Sequence, residues 1–506
     1  MRLLTNVTKY AKKAAAIAMA AVMLVGLTAC SSSSKEKERN LAPEAVAEEA
    51  LLSLTNTDAK TAFEDVFGWD ELAKAIQEKG YKATIELSIE DIPGDMIGLN
   101  GFTIPSAGIV LEVSQDSAKS KTDALIDLQV ANVSLLSAEA YMDSEKLLLE
   151  APKLYDGALM VELDEEFVSE LQNAALSEML DEETMYMLET LSAALESVDT
   201  DAAMTEEVEK FVDALEGEWN DFLKALEAEK EDTKEIKAVD GKVECDVYEV
   251  TFGMDEIGAF LTGMLEETRD YLVQYEDQEW YYLYDIEDVT EEIEYMIEDM
   301  DYIMDELSEN TDEITMTLYV KEQRPIRMEL DIDVDGEVLE VDVTFASAGA
   351  LYDNIEVVLN MDGEEMTFAH LTENTSSKYE SEWMLEYDGE KASFVTSYDK
   401  KEGDFALEFN FADEITAGLY GELEIPSKGK SFSFEFNHFE MYNYGESMEF
   451  DFTVGVALEA LSESVSAPSG STRNVLTMTE SDWEDLAIEI QGNLESLIWE
   501  LIGVFE

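Results

Sequence analysis

The chain has only two cysteines, Cys30 and Cys245, and two histidines, His370 and His438, in 506 residues. A zinc site built from clustered Cys and His, or a fold stapled by several disulfides, is thereby excluded. Basic residues are also scarce: 32 Lys and Arg face 117 Asp and Glu, for a formal net charge of −85. Such a field repels phosphate backbones and anionic headgroups, so nucleic acid is excluded as a partner, while cations, basic peptides or plain solubility are favoured. No glycine-rich phosphate loop, nucleophile elbow or ordered Ser, His and Asp set stands out, and the chain is expected not to be an enzyme. The apolar run from Ala14 to Gly26 is too short to cross a bilayer as a mature helix.

What is present begins with an address. Residues 1–29 carry Arg2, Lys9, Lys12 and Lys13 and no acid ahead of that apolar run, the layout of a cleaved export signal. The run ends in Leu27-Thr28-Ala29-Cys30, which resembles the lipobox of bacterial lipoproteins, and four serines follow at once. The resemblance implies a diacylglyceryl group on Cys30, a protein held on the outer face of the cell membrane, and a bilayer as its first partner. Removing residues 1–29 would take the formal charge from −85 to −89. Residues 30–41 read as the lipidated cysteine and a solvated tether. Cys245 then has no intramolecular thiol to pair with, so the exported chain relies on packing.

Hydrophobic residues make up 46% of the chain, enough to bury a core. Residues 42–311 combine strands with an acidic helical insertion. Helical stretches are expected at about Pro43 to Leu54 and Asp58 to Lys79, the latter with Phe63, Val66, Leu72 and Ile76 on one side. Alternation then takes over at Ala83, Ile85, Leu87, Ile89, and again at Ile109, Leu111, Val113 and at Ala124, Ile126, Leu128, Val130. From Asp164 to about Asn310 the period is helical and very acidic, broken by a strand signal from Cys245 to Phe252.

Residues 312–461 read as an antiparallel meander. Asp335-Gly336, Asp362-Gly363 and Asp388-Gly389 sit between alternating runs, as type I′ hairpin turns require. The first loop would oppose Ile332 to Leu339, Leu330 to Val341, Met328 to Val343 and Ile326 to Phe345. The second opposes Leu359 to Met366 and Val357 to Phe368, and the third opposes Leu385 to Ala392, Trp383 to Phe394 and Tyr379 to Tyr398. A slip of one residue would send each apolar set to the wrong face, so the turns set the register. Further turns are expected at Glu402-Gly403, Tyr420-Gly421, Lys428-Gly429 and Tyr444-Gly445, giving roughly ten or eleven strands, more than a sheet carries without curling. The expected architecture is α+β: a large curved antiparallel meander, or partial barrel, with amphipathic helices on its apolar face.

That face is aromatic. Trp383, Phe394, Phe409, Phe434, Phe436 and Phe452 are its candidate contacts for an apolar ligand or lipid. Residues 462–478 form a linker, and residues 479–506 an amphipathic helix whose Ser481 and Glu484 match a capping box and whose apolar side suits a lid over the sheet.

Asp331-Ile332-Asp333-Val334-Asp335-Gly336 opens like a calcium loop, but strands flank it where helices should, so the hairpin is preferred. Its register crowds Asp331 against Glu340 and Glu329 against Asp342, which makes Asp331, Asp333, Asp335, Glu340 and Asp342 a candidate site for weak calcium binding, the one cofactor suggested. Both histidines extend apolar strand faces and are expected to be satisfied core residues. The acids of Glu276 to Glu309 read as a solvated helix face.

The order of lipobox, tether, opening helices, meander and helical insertion resembles uncharacterised acidic surface lipoproteins of gut-type Clostridia. Ala140-Tyr141-Met142-Asp143 through Leu147-Leu148-Leu149-Glu150-Ala151-Pro152 is also similar to curved-sheet lipoproteins related to lipoprotein carriers and mycobacterial lipid-binding lipoproteins. The resemblance implies a Gram-positive cell surface and acyl-chain binding on a concave sheet. The alternative function is an acidic surface scaffold that holds cations or basic partners.

Overall fold

In the computed structural model the described residues run from 41 to 504, without 55–59, 94–102, 132, most of 164–200, 277–285, 309–312, 335–336, 362 and 413. Their architecture is one sheet of twenty strands, antiparallel but for its last short strand, with helices laid on it, an α+β fold whose sheet does not close.

Two meanders meet in the middle of this sheet. The N-terminal one consists of β1 (Tyr81–Pro93), β2 (Thr103–Asp116), β3 (Lys121–Val130), β4 (Val133–Met142), β5 (Lys146–Glu150) and β6 (Ala158–Glu162). The second starts at β7 (Glu227–Ala238) and β8 (Gly241–Gly253) and continues, after a helical excursion, through β9 (Glu313–Lys321), β10 (Arg324–Val334), β11 (Glu337–Phe345), β12 (Asn354–Met361), β13 (Glu364–Asn374) and β14 (Lys378–Tyr387). It ends with β15 (Glu390–Asp399), β16 (Asp404–Phe411), β17 (Ile415–Ser427), β18 (Ser431–Asn443) and β19 (Glu446–Ala460). β1 pairs with β2 on one side and with β19 on the other, so the last long strand returns to the first. A three-residue strand, β20 (Thr472–Asn474), lies inside the expected linker and pairs parallel with β6.

The hairpins follow the Asp-Gly arithmetic over most of their length. Leu330 faces Val341, Val357 faces Phe368, and Trp383 faces Phe394. Asp388 and Gly389 both have positive φ, 52° and 77°, as a type I′ turn needs, whereas the Asp335-Gly336 loop lies outside the described residues. Three local expectations change. Ile326 does not join Phe345: the β9–β10 register shifts between Pro325, which has no N–H for the ladder, and Arg327, and Ile326 is buried with Val247 and Tyr319 instead. Tyr420-Gly421 is no turn but lies inside β17 opposite a bulge of β18 at Asn437, and a Cβ on Gly421 would overlap the Glu435 carbonyl oxygen. That bulge, between Phe436 and His438, turns His438 out of the apolar row and brings Phe439 into it.

The helices form three separate covers. At one end α1 (Pro43–Leu52), α4 (Asp201–Lys224), α5 (Met254–Val273) and α6 (Ile286–Ser308) lie over β7 to β12, burying Leu51, Trp219, Phe222, Ile257 and Phe260 against Val250, Leu318, Leu330 and Val343. This core is filled: its cavity, lined by Leu51, Trp219, Phe222 and Met328 among others, measures about 50 Å³. In the middle, α2 (Ala62–Phe67) and α3 (Trp69–Lys79) meet at Gly68, whose φ of 66° ends one helix and begins the next, splitting the single helix expected there. Thr61 caps α2 by accepting the Glu64 N–H at 3.1 Å. At the far end α7 (Glu480–Val504) packs Trp483, Leu486 and Ile490 against Tyr155, Val475 and Leu476. It is therefore not a lid over the aromatic strands. Its capping box is Thr479 with Asp482, two residues before the expected one: Thr479 N–H donates to Asp482 Oδ2 at 2.8 Å and Asp482 N–H to Thr479 Oγ1 at 3.3 Å.

Candidate functional site

Strand pairing carries the apolar face continuously out from under the first helical cover. Val343, Val357, Phe368 and Leu385 form one cross-strand row. Along it exposure climbs from 2% at Val343 to 38% at Phe368 and 45% at Leu385, which marks where the helices stop. The next row runs from His370 through Trp383, Phe394, Phe409, Ala417 and Met441 to Met448. Trp383, Phe394 and Phe409 are 44%, 43% and 43% exposed, three large aromatic side chains on adjacent strands left in contact with water.

The row is rigid at its His370 end. The His370 ring stacks on Trp383 with centroids 4.0 Å apart and planes at 10°. Its Nδ1 lies 2.6 Å from the Tyr352 carbonyl oxygen and must carry the proton there, so Nε2, 2.8 Å from Ser381 Oγ, accepts from that hydroxyl. Burial holds the imidazole below its ordinary pKa, against a raising contribution from the bond to Tyr352 and the nearby Asp353 carboxylate. Burial likewise raises the Asp353 carboxyl, which accepts the Ala62 N–H at 2.8 Å. Tyr352 also donates to Leu54 O at 2.6 Å, so the short turn at Leu351–Asp353 grips both ends of the α1–α2 connection and the histidine under the aromatic row. Ser381 and His370 have the spacing of a nucleophile and its base, but Ser381 is 5% exposed and the far nitrogen meets a carbonyl, which makes the pair a buried strut.

The other expected ligand contacts lie elsewhere on the same sheet. Phe434 and Phe436 are partly buried beside Phe405 and Leu423 in the cluster that α2 covers through Val66 and Phe67. Phe452 is partly buried, 5.5 Å from Phe450. Cys30 lies outside the described residues. His438, expected in the core, is half-exposed on the opposite face and pairs with Asp451 at 2.7 Å, which raises its pKa through that hydrogen bond.

The acidic hairpin has its register but not a gathered ligand set. Asp331 faces Glu340 and Glu329 faces Asp342 as expected. Arg327 bridges the second pair, donating from Nε to Asp342 at 2.9 Å and reaching Glu329 at 2.9 Å, and Asn360 donates to Glu340 at 3.0 Å. The crowding is thus relieved by an arginine that sits four residues before the stretch read as a calcium loop. Asp333 pairs in β10 opposite Val338, and Asp335 lies outside the described residues. Among the described residues no three His, Cys, Asp or Glu side chains come together as metal ligands.

No protein-family model matches the chain, and no curated protein matches it. Among the described residues no helix is long and apolar enough to cross a membrane.

Proposed function

We propose that this chain is an extracytoplasmic lipoprotein, moored by a diacylglyceryl group on Cys30 to the outer face of a Gram-positive cell membrane, and that it holds a lipid acyl chain along its open aromatic row without transforming it. The observation that carries this reading is the half-exposed line of Trp383, Phe394 and Phe409, which continues the apolar face beyond Phe368 and Leu385, where the first helical cover stops.

Magnitudes favour a long apolar ligand. Covering the exposed parts of these three rings removes roughly 300 Å² from water, about 7 kcal/mol gross, which barely meets the cost of association. A ligand must therefore cross more strands. The row from Trp383 to Met448 spans six strands, and at about 4.8 Å per strand that is about 24 Å, longer than the roughly 15 Å of one bilayer leaflet. The core cavity of about 50 Å³ is too small for such a chain, so the site is the sheet surface. Curvature of the sheet would wrap that surface around its ligand. The 3.2 Å bond from Val239 N–H to Phe345 O, which ties the β7–β8 turn to the end of β11, supports a sheet that bends.

Two measurements test the proposal. Cys30→Ser should move the protein from membranes to the medium and abolish acylation; unchanged attachment refutes the anchor. Mass spectrometry of organic extracts of the purified protein should find lipid, and Trp383→Ala with Phe394→Ala should remove most of it; lipid-free wild type, or equal lipid in the variant, refutes the aromatic site.

A further inference from the structure

A chain of hydroxyls crosses the apolar face and ends on His370. Its Nε2 accepts the Ser381 hydroxyl at 2.8 Å, with Thr372 Oγ1 a longer neighbour at 3.3 Å, while Nδ1 donates to the Tyr352 carbonyl oxygen. Ser381 in turn shares a hydrogen bond with the Tyr379 hydroxyl. Each hydroxyl owns one proton, so the order is fixed: Tyr379 donates to Ser381, and Ser381 to the imidazole. Tyr379 is 4% exposed and Ser381 5%, so both lie out of reach of bulk water.

The far end of this chain lies beneath α2. Phe67 stands edge-on to the Tyr379 ring with centroids 5.6 Å apart, and Val66 shares the same cluster. Polar ties add to that packing: Asp65 meets Asn374 at 3.3 Å and Lys428 at 3.6 Å, and the Ala62 N–H donates to Asp353 at 2.8 Å. The imidazole has a simple surround. The turn brings Tyr352 and Asp353, β14 brings Ser381 and Trp383, and β12 brings the apolar Ile355. The acids of α2 are engaged elsewhere, Asp65 as above and Glu64 with the Asp70 N–H at 2.8 Å and Lys60 at 3.9 Å.

We propose that His370 is a proton-operated latch for α2: when the imidazole takes up a proton, the hydroxyl chain reverses and α2 lifts from the sheet. Protonated Nε2 is a donor, so Ser381 can no longer point its hydrogen there and turns it to the Tyr379 oxygen. Tyr379 must then release its own hydrogen from Ser381 toward Phe67 and Val66, and a buried donor that loses its partner is costly. Lifting α2 gives that hydroxyl its shortest way to water. Burial holds the imidazole below its ordinary pKa, so the lifted form, in which burial is relieved, takes up the proton first. Phe405, Phe434 and Phe436, now under α2, would then join the open row, so acid widens the apolar face. The latch stands whether or not a lipid lies on that face.

The test follows amide hydrogen exchange in the full chain in detergent, corrected for the intrinsic effect of acid, between about pH 7.5 and about pH 5. The reporters are the Asp65 and Gly68 N–H groups, which close α2 at 2.9 Å on the Thr61 and Glu64 carbonyls; a helix this short does not survive off the sheet. Their exchange should quicken by about threefold or more at the lower pH, while α5 and α7 keep their protection. His370→Gln should remove this acid dependence and His438→Gln should leave it. Ser381→Ala, which cuts the chain, should give fast exchange on α2 at both pH values. Should His370→Gln fail to fold by circular dichroism, wild type and Ser381→Ala decide. Unchanged protection of α2 in acid, loss of protection in all helices together, or an acid dependence that persists in His370→Gln or Ser381→Ala or vanishes in His438→Gln overturns the proposal.

Discussion

Replacing Phe67 and Phe394 separately by alanine distinguishes a structural row from a free one. Both rings lie over the same apolar face, but Phe67 is 7% exposed and Phe394 43%. Phe67 packs edge-on to Tyr379 with centroids 5.6 Å apart, lies 6.3 Å from Tyr398, and contacts Phe63 at 4.5 Å. Its removal forfeits about 2 kcal/mol of transfer free energy and leaves a cavity between helix and sheet, for a total of about 3–4 kcal/mol. The aromatic pairs add to this, while a compact unfolded state subtracts from it. Phe394→Ala removes a ring already half in water and opens no closed cavity, so its cost should stay near 1 kcal/mol or below. Urea unfolding of the two variants at equal m-value measures the difference, and hydrogen exchange on α2 and β14 shows whether α2 detaches first. Comparable losses in the two variants would refute the division into covered and open rows, and a Phe67→Ala cost below about 1 kcal/mol would show that α2 does not hold the sheet.

Three further outcomes are expected. His370 has a folded-state pKa below its ordinary value, so the unfolded chain takes up its proton first: stability is complete above about pH 6.5 and is lost as pH falls from there toward the folded pKa, a slope that urea midpoints should show and that His370→Gln should remove. His438, raised by Asp451 but solvent-exposed, has the opposite sign and little weight. Gly217→Ala, in a helix with nothing within 4 Å of the new methyl, should stabilise by about 0.5–1 kcal/mol, whereas Gly421→Ala, driven against the Glu435 carbonyl, should destabilise by more than that; a lower melting temperature for the first variant, or a higher one for the second, would contradict the packing at that site. Cys245 is 1% exposed and its thiol is pushed up to about 11 by burial, so a thiol reagent should label it only after unfolding, and rapid native labelling would refute its burial.

The parts of the fold that were legible in the sequence are those written as local alternation. Asp388-Gly389 between two alternating runs is enough to set Trp383 opposite Phe394, because turn geometry and the period of two leave one register. What escaped were places where the chain departs from its period for tertiary reasons. The bulge before His438 shifts every following residue to the other face, and nothing local distinguishes Phe436-Asn437-His438 from a continuing strand. β7, Glu-Ala-Glu-Lys-Glu-Asp-Thr-Lys-Glu-Ile-Lys-Ala, carries almost no apolar residue and is a strand only because β8 offers it an edge. The aromatic face could be named from sequence; which of its rows lies open could not. That depends on where α2 and the α1–α4–α5 layer end, and Leu54, Ala62, Tyr352 and Asp353 set this through contacts nearly three hundred residues apart in the chain.

An open sheet of this width has two unpaired edges, and the sequence features that look least strand-like sit on them. At β7, eight of twelve positions are Glu, Asp or Lys, all eight solvent-exposed, so a second sheet that paired there would bring charge against charge. At the other edge β6 is closed by only three residues of β20, and β20 is held in turn where Arg473 meets Glu489 of α7 at 3.1 Å and reaches the Asp156 carbonyl at 3.2 Å. Charged residues on one edge and a short strand pinned by a helix on the other are the standard protections against edge-to-edge association. With the edges protected and a net charge of −85 keeping whole molecules apart, the half-exposed Trp383, Phe394 and Phe409 can stay open without recruiting another copy of the sheet.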